Sequence, residues 1–142
     1  MKSFNAYLNF NGETEEAFNF YRSVFGGDFL LKQTMKDSPD GKELPEEEQN
    51  RIMHVSLQLG EGMVLMGSDI LPSMGHKLTK GNNCYISLNA ESKEEAERLF
   101  EGLSAGGKVE MPLTDMFWGS YWGSFTDKFG VQWMIDFAEE QR

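Results

Sequence analysis

His54 and His76 are the only imidazoles in this sequence of 142 residues and Cys84 is its only thiol, so few side chains can serve as base, nucleophile or soft metal ligand. His76 lies in a stretch with Pro72, Gly75 and Gly81 that reads as a linker loop, where an imidazole is ordinarily solvated. Cys84 stands alone, which excludes an internal disulfide, and at the edge of an apolar run it reads as a small buried residue. His54 opens the alternating run HVSLQLGEG on its polar side and is the best general-base candidate. It could join Asp69 or Asp136 in a mononuclear metal site, although no ligand spacing marks one. The other groups with chemical character are neutral. Tyr85, Trp118 and Trp122 read first as cleft wall or core, with stacking on a planar ligand as the sharper alternative.

The elements that must position these groups are written twice. Residues 117–137, FWGSYWGSFTDKFGVQWMIDF, hold all three tryptophans. Alternation over 122–126 and the run 131–137 predict two strands, joined by a tight Asp127–Gly130 turn in which Gly130 takes a positive φ. HVSLQLGEGMVLMG is an earlier copy, with Gly62 matching Gly130 and Met66 matching Met134 at an offset of 68. Upstream, YLNFN at residue 7 matches YISLN at residue 85, an offset of 78, and Gly26-Gly27 matches Gly106-Gly107. This is a tandem duplication.

In the first copy, alternation predicts a strand over 4–10. A helix follows, with Ala17, Phe20, Tyr21, Val24 and Phe25 as its apolar stripe, and then a strand over 29–35. Residues 36–50 read as a mobile acidic surface loop, and 52–59 and 63–67 as strands. The second copy predicts a strand over 84–90, a helix capped by Ser92 with Ala96, Leu99, Phe100 and Leu103 buried, and a short strand over 108–112. The fold class is therefore α+β, with two tandem βαβββ modules forming a curved mixed sheet around a cleft. Module one spans 3–69, the linker 68–83 and module two 84–137, within a single domain of 1–142.

A formal charge of −10 disfavours nucleic acid and anionic membrane as partners, because both require clustered Lys and Arg. No signal peptide or long apolar run stands at either end, so a cytoplasmic location is expected. Parity locates the site. Val55, Leu57, Leu59 and Leu65 point to the first helix, leaving His54, Ser56, Gln58, Val64, Met66 and Ser68 on the far face. In module two, Trp133, Ile135 and Phe137 point to the helix. Gln132, Met134 and Asp136 share the far face with Tyr85, Ser87, Asn89, Trp122, Ser124 and Thr126. Apolar walls with a few hydroxyl, amide and imidazole groups suit a small organic ligand of neutral or weak charge, since no Lys or Arg is expected on that face. The same composition would also suit packing against a partner subunit.

Two βαβββ modules, the opening YLNFNGETEEAFNFYRSVFGG and the segment HVSLQLGEGMVLMGSD resemble the vicinal oxygen chelate superfamily of glyoxalase I, extradiol dioxygenases and fosfomycin and bleomycin resistance proteins. The segment FWGSYWGSFTDKFGVQWMIDF is similar to the FW…G…TDKFG..WMI signature of its PhnB-like branch, whose members often carry the label 3-demethylubiquinone-9 3-methyltransferase. No glycine-rich loop after a strand supports methyl transfer with a nucleotide-like cofactor. Metal-using members hold an ion with His and Glu on the first and last strands of each module. Those positions carry over to Asn5 (or Ala6), Met66, Tyr85 and Met134, which are poor ligands for divalent transition metals.

The resemblance and the face together imply a metal-free small-molecule-binding protein with no cofactor. Its cleft takes in Asn5, Tyr7, His54, Ser56, Met66, Ser68, Tyr85, Trp118, Trp122 and Met134. The alternative is a metal-dependent lyase, isomerase or dioxygenase using His54 in a rearranged site. Relatives imply a homodimer, side by side or with modules exchanged through the linker.

Overall fold

The structure, a computed structural model, describes residues 1–139. The chain divides into two compact units, Met1–Thr79 and Lys80–Arg142. Each carries one four-stranded mixed sheet, and together they are two tandem βαβββ modules of an α+β fold.

In the first unit β1 (Ala6–Phe10) leads through α1 (Thr14–Phe25) to β2 (Asp28–Thr34), and β3 (Ile52–Gly60) and β4 (Met63–Asp69) follow as a hairpin. The sheet order is β1-β4-β3-β2, with β1 parallel to β4 and the other pairs antiparallel. β1 and β2 are therefore the two outer strands, and α1 crosses one face to join them. That crossing lays its apolar stripe on β3 and β4. Ala17, Phe18 and Tyr21 are buried there with Val55, Leu57 and Leu65.

The predicted stripe was shifted: Phe20, Val24 and Phe25 are only half-buried, whereas Phe18 is fully covered. Gly67 explains the shift. A Cβ there would lie 2.7 Å from Phe18 Cε1, so the missing side chain is what lets that ring reach the sheet.

Several boundaries differ from the sequence reading. Phe4 is exposed and precedes β1. Ser68 and Asp69 belong to β4 rather than to the linker. The acidic stretch 36–50, expected as a mobile loop, contains two 3-10 turns (Met35–Asp37 and Gly41–Glu43) and the single-turn α2 (Glu46–Gln49). Its anchor is Glu48, 4 % exposed, which accepts hydrogen bonds from the Ser73 amide and hydroxyl. A buried carboxylate with two donors ties the insertion to the chain that follows β4, which composition could not reveal.

The second unit repeats the plan with β5 (Ile86–Asn89), α3 (Lys93–Ser104), β6 (Lys108–Asp115), β7 (Tyr121–Thr126) and β8 (Gln132–Phe137), in the order β5-β8-β7-β6. Ser92 caps α3 as expected, its hydroxyl accepting from the Glu95 amide at 3.0 Å. Ser92→Ala should cost about 1 kcal/mol, read as a lower midpoint in urea. Ala96, Leu99 and Leu103 are buried, and Phe100 meets Phe125 edge-on. β6 runs three residues beyond the short strand expected, because as an outer strand it can accommodate Pro112 at a register break. Cys84 is exposed and precedes β5, so it is not the buried residue the sequence implied.

The duplication holds in strand order and pairing, but its offset needs correcting. Register sets Tyr7 opposite Met66 and Ser87 opposite Met134, so Tyr7 corresponds to Ser87, at 80 residues rather than 78. Gly27 and Gly107 agree: a Cβ would lie 1.7 Å from Gln58 O in one and 2.2 Å from Thr126 O in the other. YLNFN and YISLN match by composition two residues out of step. A slip of two preserves the face of every side chain, so the parity reading survives while the rows change.

Candidate functional site

On the face of the first sheet opposite α1, Tyr7, Met66, Ser56 and Leu31 form one row across β1, β4, β3 and β2. His54 lies one row along on β3, facing Gln33. Its Nδ1 is 3.2 Å from the Tyr7 hydroxyl and its Nε2 is 2.9 Å from Ser56 Oγ. A neutral imidazole has one N–H, so one of these contacts donates from the ring and the other donates to it. Both hydroxyls can rotate to either role, so the three side chains form one hydrogen-bonded chain, Tyr7–His54–Ser56. Ser56 is 8 % exposed and Tyr7 45 %, so this chain runs from the sheet to its surface. Ser68 donates to Asn9 nearby, and Asn5, before β1, donates to Ser3 Oγ.

The face opposite α3 in the second unit has the row Ser87, Met134, Ser124 and Met111. Trp122 occupies the position equivalent to His54. Its ring meets Trp118 edge-on at 6.3 Å, and Trp118 in turn donates its indole N–H to Ser120 Oγ. The sequence reading missed Glu110. Val109 pairs with Phe125 and Met111 with Ser124, a register break that leaves Glu110 with no cross-strand partner. Its Oε1 accepts from the Tyr85 hydroxyl at 2.8 Å and its Oε2 from the Thr126 hydroxyl at 3.2 Å. The hydrogen bond to Glu110, then burial and the carboxylate charge, push the Tyr85 phenol above its ordinary range.

The same break occurs at Leu30 in β2, 80 residues earlier, so Leu30 and Glu110 are equivalent. A lone acid within the apolar run of β6 was the only signal in the sequence. Lys108 pairs with Thr126 and so shares this face, correcting the expectation that no Lys or Arg would be found there.

Thus the structure gathers Tyr7, His54, Ser56 and Met66 on one sheet, and Trp122 and Met134 on the other, with Trp118 against Trp122 and Tyr85, just before β5, bonded to Glu110. It separates His54 from Asp69. Asp69 follows the parity of Leu65 onto the helix side, where it is 5 % exposed and accepts from Gly12 N, Thr14 N, Thr14 Oγ1 and Ile52 N. A shared metal between them is excluded by that geometry. His76, expected to be solvated, is exposed but accepts the Leu71 amide at Nδ1. A crevice of about 270 Å³ lies by the start of α1, walled by Glu15, Glu47 and Arg51, and takes in none of the far-face residues.

Asn5, Met66, Tyr85 and Met134, the positions that the resemblance carries over from metal-using members, are an amide, two thioethers and a phenol, and among the described residues no group of three His, Cys, Asp or Glu could hold a metal ion. This donor set does not fit a divalent transition metal. Nor is any helix among the described residues long and apolar enough to cross a membrane.

Comparison with known proteins agrees with this architecture. Residues 3–135 match the Glyoxalase/Bleomycin resistance protein/Dioxygenase superfamily. The chain is 33 % identical to Protein YjdN of Escherichia coli (strain K12) over 146 aligned positions, covering 95 % of each. Protein PA1353 from Pseudomonas aeruginosa superimposes with a TM-score of 0.85 at 40 % identity, covering 97 % of this chain and 98 % of that one. A Bacillus cereus protein described as a putative 3-demethylubiquinone-9 3-methyltransferase, PhnB protein, gives 0.76 at 25 % identity, covering 95 % and 98 %. With its duplicated βαβββ units and a match over nearly its whole length, the chain belongs to the Glyoxalase/Bleomycin resistance protein/Dioxygenase superfamily.

Proposed function

We propose that this chain is a small-molecule-binding protein that works without a metal ion, its ligand resting on a sheet face opposite the helix of its unit. The observation that carries this reading is the doubled face itself. Ser56 and Ser124, and Met66 and Met134, stand at equivalent places, beside an imidazole in one unit and an indole in the other. Polar groups of low charge among aromatic and thioether surface are what orient an organic ligand. A cytoplasmic homodimer is the setting this reading assumes. Titration calorimetry against aromatic and polar metabolites should find a binder whose affinity Trp122→Ala lowers about tenfold or more, as expected when an aromatic anchor is lost. Unchanged affinity in that variant would remove Trp122 from the site.

The chain Tyr7–His54–Ser56 favours a second reading, an enzyme that moves a proton through His54. His54→Gln would then abolish turnover of a ligand it still binds, whereas in a pure binding protein only affinity would change.

A further inference from the structure

The geometry points to a ligand that carries an ammonium or other cationic nitrogen, held by Glu110 on the second unit's sheet. This rests on the binding reading above and names the chemistry of the ligand. Glu110 is placed by the backbone, since the register break in β6 frees it from cross-strand pairing and sets it beside Tyr85 and Thr126. Both hydroxyls donate to the carboxylate. They hold and orient the anion without neutralising it, and each oxygen keeps a further lone pair for an incoming donor.

Among the described residues no cation pairs with Glu110. Lys93 binds Asp115, and Lys108, on the same face, makes no ion pair with it. Across the strands lies Gln132, opposite Thr126, and one row away are Ser124 and Met134. Trp122 lies two rows further along β7 from Thr126. The equivalent place in the first unit holds Leu30, so the charge is particular to this half of the duplication.

The test uses the full chain and three probes of matched size, 2-phenylethylamine, 2-phenylethanol and phenylacetate, followed by titration calorimetry and amide chemical shifts. The amine is expected to bind about tenfold more tightly than the alcohol, with phenylacetate weakest. Glu110→Gln should remove that preference while leaving the alcohol unchanged, and Tyr85→Phe should weaken the amine only partly. Glu110 is exposed and its amide keeps an acceptor, so the variant is expected to fold. The inference is overturned if phenylacetate binds best or if Glu110→Gln leaves the amine's advantage intact. In those cases an alcohol still weakened by Trp122→Ala would leave the binding face standing. Should no probe bind up to about 10 mM, the cationic assignment falls, and the binding reading then stands or falls on the metabolite screen alone.

Discussion

Asp127→Ala should be among the most damaging single substitutions in the second unit, at about 3 to 5 kcal/mol. Asp127 Oδ1 accepts from the amides of Phe129 at 2.8 Å and Val131 at 3.0 Å, and Oδ2 accepts from the Trp133 indole at 2.9 Å. Phe129 is 4 % exposed and Trp133 fully buried, so water cannot replace the carboxylate at those two donors, while the Val131 amide is part-buried. Alanine would strand three donors, each costing about 1 to 3 kcal/mol before relaxation. Asn would retain one carbonyl oxygen for the two amides but turn an NH2 group towards the indole, so an intermediate loss is expected. All three tryptophans lie in the second unit, and indole fluorescence in a urea titration therefore reads this unit directly. A midpoint unmoved by Asp127→Ala would show that the turn forms without its carboxylate.

In the first unit the counterpart in consequence is Asp69→Ala, at about 3 to 4 kcal/mol. The residue before α1, Glu13, makes no side-chain cap. Asp69, from the end of β4, serves instead: its Oδ1 takes Gly12 N, Thr14 N and Thr14 Oγ1, while Oδ2 takes Ile52 N. One carboxylate thereby joins the helix start to two strands, and its negative charge lies at the positive end of the helix. Loss should appear as faster amide exchange along α1 and reduced helical circular dichroism, with indole fluorescence reporting the second unit separately. Protected α1 amides in Asp69→Ala would sink the assignment.

Much of the fold was legible because period and punctuation are local. Alternation at 122–126, the helix stripe at Ala96, Leu99 and Leu103, Ser92 as a cap and Gly130 at φ +90 all follow from neighbouring residues. Local composition also misled. YLNFN against YISLN suggested the wrong offset, since residue likeness carries no information about hydrogen-bond register. Cys84 and Phe4 were drawn into strands by their apolar neighbours, whereas pairing begins only at Ile86 and Ala6.

Parity put His54, Ser56, Met66, Trp122 and Met134 on the sheet faces opposite the helices, because side-chain direction in a strand alternates without exception until a bulge intervenes. Glu110 fell at such a bulge and was missed. Asp69 was offered as a metal ligand and proved to be a helix anchor.

By itself the sequence determined the duplication, the order of elements and the side of the sheet each alternating residue takes, since each depends on contacts a few residues long. Only the tertiary structure decided which polar groups meet. The sequence separations of 47 between Tyr7 and His54 and of 25 between Tyr85 and Glu110 are closed by strand register. Register is set by pairing across the whole sheet, which no short window of sequence contains.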